Sequence, residues 1–295
     1  MKILIVSGFL GAGKTTFIKH LAKVLDRKFV IMENEYGNLN LDKVDLERSS
    51  LEIWEMTEGC ICCSIEGDFA ASVLTVANAL DPDILIVEPT GVGQLSAILK
   101  NLKRIEYERI RLLEPITLVD CNTFEESMKE YGDFYSDQIK NAGKVFITKQ
   151  EDANVNSLYQ ELMEIKGDER VYKDHYSEFD KEFYEKLLNT YWNDGIREHS
   201  MEDIPDFTTI SFENFEFKDK DEILSMSNMI LRGNFGKIYR AKGYIPVGDE
   251  TIKYDLVDKK LDVVYSDVKK SAMVFIGQNL DKESLKILFE TYKTE

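Results

Sequence analysis

The chain has 295 residues, more than one hydrophobic core usually supports, so two domains are expected. Hydrophobic residues make up 43% and charged residues 31%, with 5 prolines and 17 glycines, which excludes a disordered, collagenous or low-complexity chain. There are 54 acidic residues against 37 Lys and Arg, a net charge of −17. Such a surface repels phosphate backbones and anionic membranes, which leaves a small molecule or a metal as the expected ligand and excludes nucleic acid and membrane as partners.

No stretch approaches the ~18 apolar residues of a membrane span. The apolar run Ile3–Val6 is cut by Gly8, so it does not read as a secretory leader. The expectation is a cytoplasmic protein with reduced thiols. Of its 4 cysteines, Cys60, Cys62 and Cys63 are packed together. A metal or redox site fits that pattern better than a disulfide framework. Cys121 stands apart and is expected to be a small buried residue.

In chain order, Lys2–Ser7 reads as a buried strand and Thr15–Leu25 as a helix with Phe17, Ile18, Leu21, Ala22 and Leu25 on one face. Phe29–Met32 reads as a strand and Gly67–Leu80 as a helix. Asp83–Val87, Pro115–Val119 and Lys144–Thr148 read as further strands. Short apolar strands alternating with helices imply an α/β fold, a mainly parallel sheet covered by helices on both faces. Tyr176–Asn193 is aromatic and acidic and contains a helix, and Gly195–Asp206 reads as a linker. Beyond it, Thr208–Phe217, Lys237–Pro246, Thr251–Val257, Leu261–Tyr265 and Ser271–Ile276 read as strands, with helices over Asp221–Leu231 and Lys282–Tyr292. The expected organisation is a first domain over 1–175, a helical segment and linker over 176–206, and a smaller α+β domain over 207–295.

Gly8-Phe9-Leu10-Gly11-Ala12-Gly13-Lys14-Thr15 fits the phosphate-loop pattern, and it lies between an expected strand and an expected helix. Its glycines let backbone N–H groups face phosphate oxygens, and the helix N-terminus adds a favourable dipole. Lys14 should reach the β- and γ-phosphates, and Thr15 should ligate Mg²⁺. The strand Asp83–Val87 runs into Glu88-Pro89-Thr90-Gly91. There Glu88 is placed to hold Mg²⁺ through water, and Gly91 to offer its N–H to the γ-phosphate. An ordinary strand-end turn is the competing reading. Glu33-Asn34-Glu35-Tyr36-Gly37 sits where a switch loop would follow the first helix. Glu35 is a candidate to orient the attacking water or touch Mg²⁺, against a merely solvated acidic loop. Thr148-Lys149-Gln150-Glu151 stands where guanine-binding proteins carry Asn-Lys-x-Asp. The Glu151 carboxylate can accept from guanine N1 and N2, and the Lys149 stem can pack on the base.

Gly59-Cys60-Ile61-Cys62-Cys63 brings three thiols within four residues. Thiolates favour Zn²⁺ or Cu(I), and a trigonal sulfur site leaves one position open. Core packing and redox chemistry are the alternatives. The only histidines, His20, His175 and His199, form no pair in sequence, so a His-based metal site is not expected.

Together these elements resemble, in order, those of the CobW-type GTPases, within the wider group that includes HypB and UreG. The likeness continues at Asn234–Gly243 and Met273–Gly277, which are similar to the entry and closing strand of a CobW C-terminal domain. The resemblance implies GTP hydrolysis coupled to metal delivery. Gly8, Gly11, Ala12, Gly13, Lys14, Thr15 and Thr16 would hold phosphates and Mg²⁺. Glu88 and Gly91 would be the acidic and γ-sensing elements, Asn34 and Glu35 part of the switch, and Lys149 and Glu151 the guanine contacts. Cys60, Cys62 and Cys63 would bind the cargo, Zn²⁺ or Co²⁺. A client metalloprotein or cobalamin-related enzyme and a GTP-dependent homodimer are implied too. Thr148 and Glu151 depart from the usual base motif, Asn38 stands where relatives often have an acid, and a histidine-rich stretch is lacking. A nucleotide-gated adaptor without cargo and a phosphate-loop small-molecule kinase are the competing functions. The kinase would leave the cysteines unexplained.

Overall fold

The computed structural model describes residues 1–27, 29–33, 52–55, 66–89, 91, 93–150, 155–166, 170–197, 208–257 and 259–291. The chain divides into two compact units, one holding the described residues up to 197 and the other those from 208 onward.

In the first unit the strands are β1 (Lys2–Gly8), β2 (Val30–Glu33), β3 (Glu52–Glu55), β4 (Ile84–Glu88), β5 (Arg111–Leu112), β6 (Ile116–Asp120), β7 (Lys144–Thr148) and β8 (Val171–Tyr172). The helices are α1 (Lys14–Leu25), α2 (Glu66–Ala79), α3 (Leu95–Lys103), α4 (Phe124–Lys140), α5 (Val155–Lys166) and α6 (Lys181–Leu187). The sheet runs β3-β2-β4-β1-β6-β7-β8, with β5 also on β1, and every pairing is parallel. The continuous apolar runs have their cause here, because both sheet faces are covered. Leu4, Val6, Ile86, Leu118 and Phe146 pack against Phe17, Ile18 and Leu21 of α1 and Tyr184 and Leu187 of α6. The side chains of opposite parity, Ile3, Ile5, Leu85 and Val87, are buried as well. On that second face the Thr117 hydroxyl donates to the Gln138 carbonyl of α4 at 2.8 Å. The parallel register (Glu33 with Glu88, Gly8 with Leu118, Asp120 with Thr148) brings the carboxyl ends of β2, β4, β1, β6 and β7 to one edge.

The second unit is a five-stranded antiparallel sheet in the order β12-β11-β10-β13-β9. Its strands are β9 (Thr208–Glu213), β10 (Lys237–Val247), β11 (Glu250–Val257), β12 (Lys260–Ser266) and β13 (Ala272–Gln278), with helices α7 (Lys220–Leu231) and α8 (Lys282–Thr291). Ile223, Met226 and Ile230 of α7 and Leu285 and Phe289 of α8 close the core over Ile245, Tyr254 and Phe275. The Asp219 carboxylate caps α7 by accepting from the Asp221 and Glu222 amides.

The alternation over Thr208–Phe217 overreaches the strand. Asn214 takes a left-handed φ of 59° and ends the ladder, and Phe215 and Phe217 turn into the core. Three helices (α3, α4 and α5) and the short strands β3, β5 and β8 are additional to the elements expected from the sequence. In α4 the periodicity is masked by acidic residues and by Gly132, whose φ of 40° and ψ of −111° kink the helix.

His20 of α1 lies against the Tyr176 and Tyr184 rings at 5.4 and 5.8 Å. Burial first, then His175 and Lys23, hold its pKa below the ordinary 6.5. The folded state therefore resists a proton that the unfolded chain accepts. The stability is complete above the unfolded value of about 6.5 and is lost as pH falls below it. A urea midpoint that drops between about pH 7.5 and 5.5 is expected, and His20→Phe should flatten the drop. An unchanged slope in that variant would remove His20 as its source.

Candidate nucleotide site

The loop from β1 into α1 forms a cradle. Gly13 caps α1 with a φ of 93°, a left-handed conformation that a side chain would strain. The Ala12 amide donates to the Phe9 carbonyl at 3.1 Å, and the Phe17 amide donates to the Gly13 carbonyl at 2.9 Å. Lys14 is buried, and its ammonium donates to the carbonyls of Gly8 and Phe9 at 3.0 and 3.3 Å. The cation thus sits within the loop that the pattern assigns to phosphate. In the same first turn of α1, Thr15 is half-buried and Thr16 exposed.

The Thr15 hydroxyl donates to Glu88 Oε1 at 3.0 Å. Glu88 ends β4 and is 9% exposed. A hydroxyl and a carboxylate joined beside a phosphate cradle are hard oxygen donors of the kind Mg²⁺ takes. The arrangement fits that ion.

Gly91 follows Glu88 and touches the cradle directly. A Cβ on Gly91 would stand 2.5 Å from the Leu10 amide nitrogen and 2.8 Å from the Phe9 carbonyl carbon. Gln138 of α4 fixes this turn, its Nε2 donating to the carbonyls of Gly91 at 3.1 Å and Gly93 at 2.9 Å. Next to it, Asp137 accepts from the Ser96 amide at 3.1 Å and from Asn141 Nδ2 at 3.0 Å. Asn141 in turn accepts from the Arg197 amide at 2.8 Å and donates to the Arg197 carbonyl at 3.1 Å. Helix α4 and its capping residue Asn141 thus fasten Gly91, Gly93 and Ser96 on one side and the backbone of Arg197 on the other.

At the end of β7, the Thr148 hydroxyl lies 3.0 Å from the Ala12 carbonyl and 3.2 Å from that of Val119. The residue that departs from the usual base motif therefore ties the phosphate loop to β6. Lys149 has a left-handed φ of 54°, and its ammonium pairs with Asp120 at 2.8 Å. The Lys149 carbonyl accepts from Asn122 Nδ2 at 3.0 Å. Gln150 donates to the carbonyls of Ile147 and Lys173 at 3.0 and 2.8 Å.

Lys14, Thr15, Glu88 and Gly91 are thus brought together, and Lys149 lies on the same sheet edge. Asn34, Glu35, Thr90, Glu151 and the cysteines Cys60, Cys62 and Cys63 lie outside the described residues. Among the described residues no group of three His, Cys, Asp or Glu side chains is placed for a metal, and no helix is long and apolar enough to cross a membrane. Cys121 corrects an expectation, being half-exposed rather than buried. It lies one residue past β6 in a turn, where its amide donates to the Thr148 carbonyl. Partial burial, then Asp120, push its thiol pKa up, the opposite of what a reactive thiolate needs.

Asp120 and Gln138 were not among the expected site residues. Asp120 carried the same signal as Glu88, an acid closing a buried strand. Gln138 lies beyond the Gly132 kink of α4 among the buried residues Phe134, Tyr135 and Ile139, and a polar residue so buried has a polar task.

Comparison with known proteins agrees with this geometry. Residues 2–173 match the nucleotide-binding domain of CobW/HypB/UreG, and residues 207–293 match the cobalamin synthesis protein CobW C-terminal domain. The zinc chaperone YjiA of Escherichia coli K12 is 27% identical over 315 residues, covering 97% of each chain. The zinc-regulated GTPase metalloprotein activator 1 of Dictyostelium discoideum is 22% identical over 83% of this chain and 62% of its own. The crystal structure of Zn(II)-bound YjiA GTPase from E. coli is 21% identical, with a TM-score of 0.47 over 100% of this chain and 99% of that one. With a phosphate cradle, a strand-end acid beside it and a second unit of matching type, the chain belongs to the CobW/HypB/UreG family of GTPases.

Proposed function

We propose that this protein is a GTP-hydrolysing metallochaperone or metalloenzyme activator, in which nucleotide state controls binding and release of zinc at Cys60, Cys62 and Cys63. The observation that carries the reading is the Thr15–Glu88 contact beside the buried Lys14, in a chain that also holds three clustered thiols. Lys14 would exchange its loop carbonyls for the β- and γ-phosphate oxygens, and the N-terminus of α1 would add its dipole. Thr15 and Glu88 would hold Mg²⁺, which, when bound, neutralises charge on the phosphate oxygens. Glu35 would orient the attacking water. Gly91 would present its N–H to the γ-phosphate from a turn pinned by Gln138. Lys149, aimed by Asp120, would cover the base, and the Glu151 carboxylate would select guanine.

Thiolate ligands favour Zn²⁺ over Co²⁺ on affinity, and two relatives carry zinc in their names. The partners are a client metalloprotein, a cobalamin-related enzyme among the candidates, and a second copy across GTP. The work is done in the cytoplasm, where thiols stay reduced. The functional division follows 1–175 for the GTPase, 176–206 for a helical segment and linker whose helix α6 packs on the first unit, and 207–295 for the client-facing domain.

The test is metal stoichiometry on the reduced chain with Mg²⁺, titrating Zn²⁺ and Co²⁺ in parallel with GDP and with a non-hydrolysable GTP analogue. Tight Zn²⁺ binding is expected, differing between the two nucleotides and lost when all three cysteines become serine. Absence of thiol-dependent binding in both states would discard the carrier reading.

A further inference from the structure

β12 is the outer strand of the second unit's sheet, paired only with β11 among the described residues. Outer strands usually blunt their free edge with charge, bulges or cover. This one carries charge at its ends and a single carboxylate, Asp262, within it. Lys259 precedes it, Lys260 opens it and Asp267 follows it, but the run Val263-Val264-Tyr265 is exposed by 43, 49 and 63%. Alternation puts Leu261, Val263 and Tyr265 on one face, and Leu261 packs on the core that α7 closes. Leu224 of α7, 54% exposed, joins Val263 and Tyr265 in lining an open groove of about 270 Å³. A row of outward backbone groups and an apolar strip therefore lie side by side, as a partner strand would require.

The charge order selects the partner. The strand starts positive and ends negative, so a parallel copy would set like against like and an antiparallel copy opposite against opposite. Two-fold antiparallel pairing must place residues of equal parity opposite one another, and centring it on Val263 matches the apolar residues of one face and the charges at the strand ends, at the cost of one mixed pair, Asp262 opposite Val264. Val263 faces its own copy, Leu261 faces Tyr265, Lys260 faces Ser266 and Lys259 faces Asp267. Centring on Asp262 would set two carboxylates face to face, and centring on Val264 would put Leu261 against Asp267 and the like charges Lys259 and Lys269 against each other. Aliphatic–aromatic and opposite-charge pairs are the ones that stabilise an antiparallel ladder.

We propose that β12 is a self-complementary dimerisation edge, through which a second copy of this chain extends the sheet across a two-fold axis at Val263. The interface is isologous and closes on itself, so it yields dimers and no fibres. It involves no residue of the nucleotide site and is distinct from pairing across GTP.

Sedimentation of the full chain with GDP and Mg²⁺ tests it. From about 1 to 100 µM the sedimenting mass should rise toward twice that of the monomer, and Val263→Lys should abolish the rise by setting two ammonium groups at the axis. Register is read by disulfide trapping with the four native cysteines changed to serine. Val263→Cys should trap a covalent dimer under mild oxidation. Leu261→Cys should not, since its copy lies about 13 Å further along the strand. Mixing Leu261→Cys with Tyr265→Cys should trap the mixed dimer. A chain monomeric throughout that range overturns the proposal. So does a dimer indifferent to Val263→Lys, or Leu261→Cys cross-linking as readily as Val263→Cys.

Discussion

Alanine at Gly91 is expected to lower GTP turnover by about 10²-fold while the chain stays folded. The added Cβ would meet the Leu10 nitrogen at 2.5 Å and the Leu10 Cα and Phe9 carbonyl carbon at 2.8 Å. All three are backbone atoms of the phosphate loop, so no side chain can swing aside. Either the loop or the turn must move. Overpacking of this kind costs about 1–3 kcal/mol, which a folded unit tolerates. A shift of about 1 Å in a phosphate cradle is far more damaging to rate, because catalysis of phosphoryl transfer is chiefly positioning. Phosphate release by the full chain measures it, with Gly195→Ala as control, since nothing lies within 4 Å of that Cβ. Turnover within about twofold of the parent would show that the turn and the loop need not touch.

Leucine at Gln138 should destabilise the first unit by about 2–4 kcal/mol. Gln138 is 0% exposed and its single amide serves two carbonyls, those of Gly91 and Gly93. Leucine removes the donors and strands both acceptors out of reach of water, at about 1–3 kcal/mol each. Urea unfolding followed by tryptophan fluorescence isolates the effect, because Trp54 and Trp192 both belong to the first unit. Gln138→Glu sharpens the reading. Neutral, it keeps one donor; ionised, it faces carbonyl oxygens. Its folded-state pKa should therefore be raised, so the variant should be closest to the parent in acid and lose stability as pH rises through that value. Equal midpoints for parent and Gln138→Leu would show that the two carbonyls find other donors.

How much was visible in advance depended on whether local pattern and long-range packing agreed. The strands β1, β4, β6 and β7 were legible because two covered faces demand unbroken apolar runs. The phosphate loop was legible because its glycines are required by backbone shape, independent of any distant neighbour. The helix α4 was not. Gly132 breaks its period, and its purpose lies in contacts 41 to 56 residues away. The role of Thr148 was hidden for a related reason. As a variant of a base-reading motif it looked like a loss, yet its hydroxyl reaches Ala12, 136 residues away in sequence. Lys149 was singled out for its position, but the partner that aims it, Asp120, belongs to a different strand. Motifs that work by their own backbone were readable, and residues that work by reaching across the sheet were not.

The fastening of the Gly91 turn to Gln138 of α4, and of Arg197 to Asn141 at the end of that helix, has a consequence for the order in which the protein is made. The phosphate loop is among the first residues to be synthesised. Its turn is pinned only when Gln138 arrives, 47 residues after Gly91, and α4 acquires its last clasp only with Arg197, 56 residues after Asn141. Contacts so far apart close late, since chain entropy must be spent before they reward it. A nascent chain thus carries a complete phosphate-loop motif long before it carries a finished nucleotide site, and ribosome-bound intermediates that end short of Arg197 hold the motif without its support.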